Sequence, residues 1–547
     1  MNAKTKVGLE ILEAALLLGL LGDALLRATP WGLNVLLWVG ALVGAMTMLV
    51  LRRQCAFWNR ETIALHASLI VFAGFFVWRD SITLQTFDAL IILTILTVLG
   101  LPALGIQARL AGFLHYLFGA ISSGLSATLA PVQLILSDIE WKTIPRNGWT
   151  KHLSAVLKGL AIAAPIILVF GALFMAADAI FEGLVENTFK ITPGVLLSHF
   201  FLFGFLAWIC AGYLRGALFG SLLDHNWETA SQTPIDLNKT VQSVVDDSVE
   251  DGKLIKNKVY RQTENKTKFI VPAFLQLGAI EIGVVLGAIN LLFLSFVIVQ
   301  FRYFFGGMNL VQTTTDLKLA DYARRGFFEL CWVAALVLPI LLTTHLLLKK
   351  DNPMAEKLFR ILATIKIGLL FIIMYSAVER MMLYTGALGY GMTEMRFYPT
   401  AFIFWLALVF AWFALTVLRG QAQHFAWGAL WMALFVVAGL HILNPDDFIV
   451  RHNVQLRLDR RNFDAWYLSG LSADATPSLV RALPELSFHD QCIVKNRVSE
   501  NLNKNETQDW RTFNFSRWHA RQNLLDYKGG FDTAGCPDET KRIFDRY

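Results

Sequence analysis

The stretch FIVPAFLQLGAIEIGVVLGAINLLFLSFVIVQ, residues 269–300, carries a single charged side chain, Glu281. A helix rises about 1.5 Å per residue, so roughly 20 apolar residues cross a hydrocarbon core of about 30 Å. This run is longer than that, and predicts a span that tilts or continues past the bilayer. The same rule places further spans near 8–27, 31–50, 62–78, 84–104, 154–176, 195–221, 327–348, 358–383, 399–418 and 424–443. The predicted fold is all-α: a polytopic transmembrane helix bundle of about eleven spans plus one ambiguous hairpin, with a small α-helical soluble C-terminal tail.

Composition agrees. Of 547 residues, 55% are hydrophobic and 16% charged, with mean hydropathy +0.50. Ordinary soluble domains carry about 25% charged residues. The net charge of +6 is small and gives no footing for a nucleic-acid partner. The first apolar run holds Glu10, Glu13 and Asp23, which a cleavable signal peptide would not, so it is expected to stay as the first span. No lipidation motif is visible, so spanning alone is the expected anchor.

Residues 110–137 lack charge but are punctuated by Gly112, Gly119, Gly124 and Pro131. They read as one span, or as a re-entrant or interfacial hairpin. Cytoplasmic loops collect Lys and Arg. Arg52, Arg53 and Arg60 mark one such loop, Lys142, Arg146, Lys151 and Lys158 a second, and Lys349, Lys350, Lys357 and Arg360 a third. All three share a side only if 110–137 does not cross, or crosses twice, and this is the favoured reading. The N-terminus is then inside, with Lys4 and Lys6, and the C-terminus outside; the acid-rich loop 177–193 also faces out.

Four regions follow: a front helix group at 1–222, a polar cytoplasmic loop at 223–267, a back helix group at 268–444 and a soluble helical domain at 445–547. No repeat relates the two groups, so an inverted-repeat transporter is not supported. In the tail, Asp464 is expected to cap a helix carrying Trp466, Leu468 and Leu471, and Thr476 with Pro477 to open another. Cys492 and Cys536 are free to pair if the tail lies in an oxidising compartment; paired and free states both stay open.

Three segments carry a family resemblance. The first is FFGG at 304–307 with ADYARRGFFEL at 320–330; the second is YGMTEMRFY at 390–398. The third is NPD at 444–446, then Asn453, DAWYL at 464–468 and LSADATP at 471–477. Together they resemble a bacterial multi-spanning membrane family catalogued only as a domain of unknown function (number four-one-seven-three, with its relative four-one-five-three). The resemblance covers roughly 270–547; the front half shares only hydropathy with it. It implies a bacterial inner-membrane protein and no established activity. In the predicted topology the three segments meet at the outer face, as a functional site or as a seam docking the tail.

Charges in the spans supply the candidate site. Glu281 reads as mid-span, where a charge costs about 2.5–3.5 kcal/mol, so it is expected to be paired, protonated or part of a cation relay. Glu379 and Arg380 end one span. Arg325 and Glu329 are spaced to pair on one helix face. Arg324, Arg325, Arg380 and Arg396 form either a salt-bridge network or a cradle for a lipid phosphate or carboxylate, which planar guanidinium groups bind bidentately. His115, His345 and His441 read as satisfied buried histidines. No metal-ligand spacing, Walker A or GxSxG motif is present, so no cofactor, metal or catalytic residue is expected.

Three functions remain. The first is a membrane protein handling or transporting an anionic or lipidic substrate toward the periplasmic face. The second is an envelope scaffold or sensor acting through its C-terminal domain. The third is an intramembrane transferase on lipid-linked substrates, with Glu379 or Asp321 as base. Membrane lipids are the one partner the composition itself implies.

Overall fold

The computed structural model describes residues 2–52, 60–104, 106–143, 193–219, 275–313, 319–349, 352–387, 390–458, 463–504, 509–527 and 535–537, with isolated positions in 159–177; the side chains of 300–326, 457–458 and 501–504 lie outside the description. The predicted span at 154–176 and the loop at 223–267 therefore fall outside it. The described residues form helices and no strand; the one β-bridge is an isolated pairing of Leu277 with Leu348. The chain is an all-α polytopic transmembrane bundle. Ten described helices are long and apolar enough to cross a membrane.

The bundle is built from α1 (Ala3–Leu26), α2 (Leu33–Arg52), α3 (Arg60–Trp78), α4 (Ile82–Leu99), α5 (Phe113–Gln133), α6 (Pro193–Phe219), α7 (Ala279–Thr313), α8 (Leu319–Leu347), α9 (Pro353–Met382), α10 (Glu394–Thr416) and α11 (Phe425–Leu443). The tail adds α12 (Pro445–Leu458), α13 (Ala465–Ser469), α14 (Thr476–Ala482), α15 (Phe488–Lys504) and α16 (Phe515–Asp526). Helix ends leave backbone groups unpaired, and local side chains satisfy them. Asn352 accepts from Met354 N and Ala355 N to open α9, with Pro353 in its first turn. Asp464 accepts from Tyr467 N at 2.9 Å to open α13, as expected, but the helix stops at Ser469, before Leu471. Thr476 is the first residue of α14 rather than its cap.

Contacts sort the helix ends onto two faces. The ends of α1, α3 and α11, and the starts of α2, α4, α6 and α10, lie at the face that carries the tail. At the far face, Arg52 at the end of α2 lies 3.7 Å from Glu10 in α1. Helices α1–α4 and α6–α11 run between the faces. Side chains between α7, α8, α9 and α10 form one core, with Phe327, Phe359, Phe410 and Phe413 buried. A second core joins α2, α3 and α4 to α11 through Leu430 and Leu434. The last helix of the back group thus closes against the front group.

Two expectations are corrected. Residues 113–133 form one continuous helix, extended to Asp138 by a π-turn, and not a hairpin. It has span length, yet both its ends lie at the far face. Before its start, Arg109 N donates to Glu61 in the first turn of α3 at 3.4 Å. At its end, Asp138 meets Lys4 and Arg215, each at 2.8 Å, and Glu140 N donates to Thr5. Helix α5 therefore runs along the bundle's far edge, crossing α6 closely at Gly212, where a Cβ would lie 2.4 Å from the Ala127 carbonyl oxygen. Phe113, Leu117, Ile121, Leu125, Leu129 and Leu136 line its exposed side.

The second correction concerns 269–300. The helix begins only at Ala279, so Glu281 lies in its first turn and is exposed, not mid-span. Just before it, Leu277 is apolar but extended: its N–H donates to Leu347 O at 2.7 Å and its carbonyl accepts from Lys349 N at 3.0 Å.

Candidate functional site

Where the tail meets the bundle, polar groups are buried and nearly all are paired. Ser472 caps a short 3-10 turn, Ala473–Ala475, which aims Asp474 at the α3–α4 connection. The Asp474 carboxylate accepts from Arg79 Nη1 at 3.1 Å, Asp80 N at 2.7 Å and Ser81 N at 3.1 Å, and from the hydroxyl of Ser516. Its side chain is 1% exposed. Beside it, Arg517 of α16 donates to Asp80 at 2.6 Å. Asn514 donates to the carbonyls of Phe76 and Arg79, the frayed end of α3.

Asp446 lies in the same seam, buried. Its Oδ2 accepts from the backbone and hydroxyl of Ser472, while Oδ1 has no hydrogen-bond partner. Burial pushes its carboxyl up to about 7; Glu394 and Asp474 add to this and the Ser472 bonds oppose it. Burial likewise raises Asp80, against the pull of Arg517.

The 390–394 loop is clamped from both sides. Asn453 accepts from Met392 N and donates to Met392 O, at 2.9 and 2.8 Å. Gly391 sits at φ +71°, and a Cβ there would lie 2.0 Å from Asn453 Oδ1, so only glycine fits. Tyr467 receives the Glu394 N–H at 2.8 Å.

Below the seam, Asp88 of α4 and His441 of α11 form a pair whose side chains are both 0% exposed, with Nε2–Oδ2 at 3.0 Å. His441 Nδ1 lies 2.9 Å from the Val437 carbonyl, which only accepts, so Nδ1 carries a proton. The Phe75 ring stacks on the imidazole at 4.1 Å, and Asp88 Oδ1 has no hydrogen-bond partner. Arg79 Nε donates to the His441 carbonyl at 2.9 Å. One arginine thus touches both the buried pair's helix and the tail's Asp474.

A second buried charge lies in the back group. Lys366, midway along α9, is 1% exposed; its Nζ has no hydrogen bond and sits 4.1 Å over the Phe293 ring. Asn290, on the same face of α7, donates to Leu362 O but leaves its own Oδ1 without a partner.

Glu281 stands apart from the other sequence-derived candidates, which lie toward the tail-face ends of α8, α9 and α10. Glu281 is at the far face. Arg396 is at the tail face, where it donates to the carbonyls of Tyr390 and Gly391 at 2.7 Å each and covers the Tyr384 ring. It is a brace for the loop. Glu379 is exposed and Arg380 half-buried in the last turn of α9. Arg324 and Arg325 fall in the first turns of α8, with side chains outside the description. Cys492 and Cys536 are bonded to each other, with Cα atoms 5.5 Å apart. Among the described residues no group of three or more His, Cys, Asp or Glu is placed to hold a metal.

Sequence reasoning passed over Arg79, Asp80, Asp88 and Lys366. Asp88 and Lys366 were within reach, as each is a charge inside a predicted span, the criterion that selected Glu281.

A family model described as Domain of unknown function (DUF4153) matches residues 66–482. That is the second of the two related families in the resemblance above. The match extends well into the front half and ends inside the tail. No curated protein and no solved structure matches the chain.

Proposed function

The chain belongs to the family described as Domain of unknown function (DUF4153), and from that premise we propose that it is a multi-pass protein of a bacterial inner membrane, acting as an envelope scaffold or sensor through its C-terminal unit. The observation that carries the reading is Arg79, bonded at once to the His441 carbonyl in the bundle and to Asp474 in the tail. Arg79 thus ties the end of α11, which carries His441, to the tail through one side chain. The tail is part of the same folded unit, not a tethered appendage.

Two features support a tail outside and a far face inside. Lys4, Arg52, Arg60, Lys142, Lys349 and Arg360 lie at far-face ends, as cytoplasmic loops favour. The Cys492–Cys536 bond suits an oxidising compartment. Handling of an anionic or lipidic substrate has less support, because Glu281 and Arg396 are at opposite faces and Arg396 already serves backbone carbonyls.

The test is genetic. In a strain lacking the protein, envelope-stress survival is compared after complementation with wild type, a 445–547 deletion and Glu281→Gln. The expected pattern is loss with the deletion and full rescue by Glu281→Gln. Loss with Glu281→Gln at normal expression returns the weight to substrate handling.

A further inference from the structure

The tail segment Trp510–Trp518 reads WRTFNFSRW and divides its side chains sharply. Thr512, Asn514 and Ser516 are buried against the bundle. Trp510, Phe513, Phe515 and Trp518 point away and are 63%, 45%, 44% and 48% exposed. Along α16 the exposed apolar side continues. Phe515, Trp518 and Leu525 recur at helical spacing on one stripe, and Leu525 is 71% exposed. Trp31, 43% exposed in the α1–α2 connection, lies alongside.

Backbone contacts fix the level of this segment. Leu33 N, the first residue of α2, donates to Phe513 O at 2.9 Å. Asn514 and Ser516 bond the last carbonyls of α3. Arg511 reaches the Ala24 carbonyl in the last turn of α1. The rings therefore sit within about one helical turn of the ends of three helices whose outer sides are apolar and exposed, at Leu17, Leu20, Ile63 and Val71. That is the depth of the headgroup–acyl boundary, where aromatic rings are favoured.

We propose that the 510–525 stripe is immersed in the bilayer interface at the tail face, so that the partner of this surface is lipid. The attraction is apolar rather than ionic. Three nearby cations are engaged in ion pairs: Arg511 with Asp509, Arg517 with Asp80 and Arg27 with Asp23. The stripe accordingly recognises the interface itself and not a headgroup charge. It holds the tail against the membrane beside the Asp474 seam, whichever function the tail serves.

The experiment uses the full chain with Cys55, Cys210 and Cys331 replaced by Ala and the Cys492–Cys536 bond kept. Nitroxides are attached at Phe515→Cys, Trp518→Cys and Leu525→Cys, with Leu20→Cys as lipid reference and Asp490→Cys as water reference. Collisions with oxygen and with a water-soluble nickel chelate are compared in phosphatidylcholine vesicles, with and without phosphatidylglycerol. The expected result is oxygen-dominated relaxation at all three sites, as at Leu20, unchanged by phosphatidylglycerol or by molar salt. Nickel-dominated relaxation, as at Asp490, overturns the proposal. So does shielding from both reagents, which would mean a protein covers the stripe. If Phe515→Cys fails to fold, Leu525→Cys decides, because Leu525 is the most exposed residue of the stripe.

Discussion

Arg79 and Asp474 are 395 positions apart in the chain and 3.1 Å apart in space, with the carboxylate buried. Replacing Asp474 by Ala strands the guanidinium and the Asp80 and Ser81 N–H groups together. Breaking a buried pair from one side costs about 3–5 kcal/mol. Asp474→Ala should lower the thermal midpoint of the detergent-solubilised protein by several degrees and open the tail to limited proteolysis. Asp474→Asn, which keeps part of the acceptor set, should do less. An unchanged protease pattern in Asp474→Ala would remove the seam from the account.

Asp446 makes the seam pH-dependent. Its carboxyl stands near 7 in the folded protein against 3.8 when free. Between those values the folded state holds a proton that the unfolded state has lost. Stability then falls as pH rises through this window, by at most about 1.4 kcal/mol per unit, and levels off above about pH 7. Asp446→Asn should flatten that part of a stability–pH curve. A slope that survives the substitution would assign it to Asp80, whose carboxyl is raised by the same burial.

Reduction should loosen the C-terminus. The Cys492–Cys536 bond closes a sequence separation of 44, and such a link contributes about 2–4 kcal/mol. Wild type should change gel mobility on reduction, and Cys536→Ser should not. Labelling of both thiols without reductant would show that the bond does not form in the cell.

Arg396→Ala should act on folding and not on ligand binding. It frees the Tyr390 and Gly391 carbonyls and uncovers the Tyr384 ring, with an expected loss of about 1–3 kcal/mol. Yield after extraction should fall. Normal yield with a lost phenotype would instead revive the anion cradle.

Lys366→Met should leave the thermal midpoint unchanged or raise it. The ammonium has a ring face but no hydrogen bond, and a cation–π contact of about 0.5–2 kcal/mol does not offset a mid-membrane charge. A clear drop would mean that Lys366 has a partner that forms in the bilayer.

The spans were legible because apolar run length is a direct physical requirement of the bilayer. What hydropathy does not register is direction and pairing. Helix α5 is as apolar as a span, and only its contacts at Glu61, Lys4 and Arg215 show that it stays at one face. Leu277 is apolar too, but its backbone pairs with Leu347 and Lys349, so the helix starts later and Glu281 moves from the middle to the end. Asn453, Tyr467 and Asp474 stood inside the segments that carry the family resemblance, yet their partners at Met392, Glu394 and Arg79 are too distant in sequence for any local rule to join.

The buried pair Asp88–His441 also has a consequence in time. Its members are 353 positions apart, and at about 5–20 residues per second the ribosome takes roughly 20–70 s to travel between them. Throughout that interval Asp88 is already made and His441 is not, and Arg79 waits longer still for Asp474. The front helices are therefore complete before either of these partners exists. The first helices thus take their final polar partners from α11 and the tail, which are made last among the elements they touch.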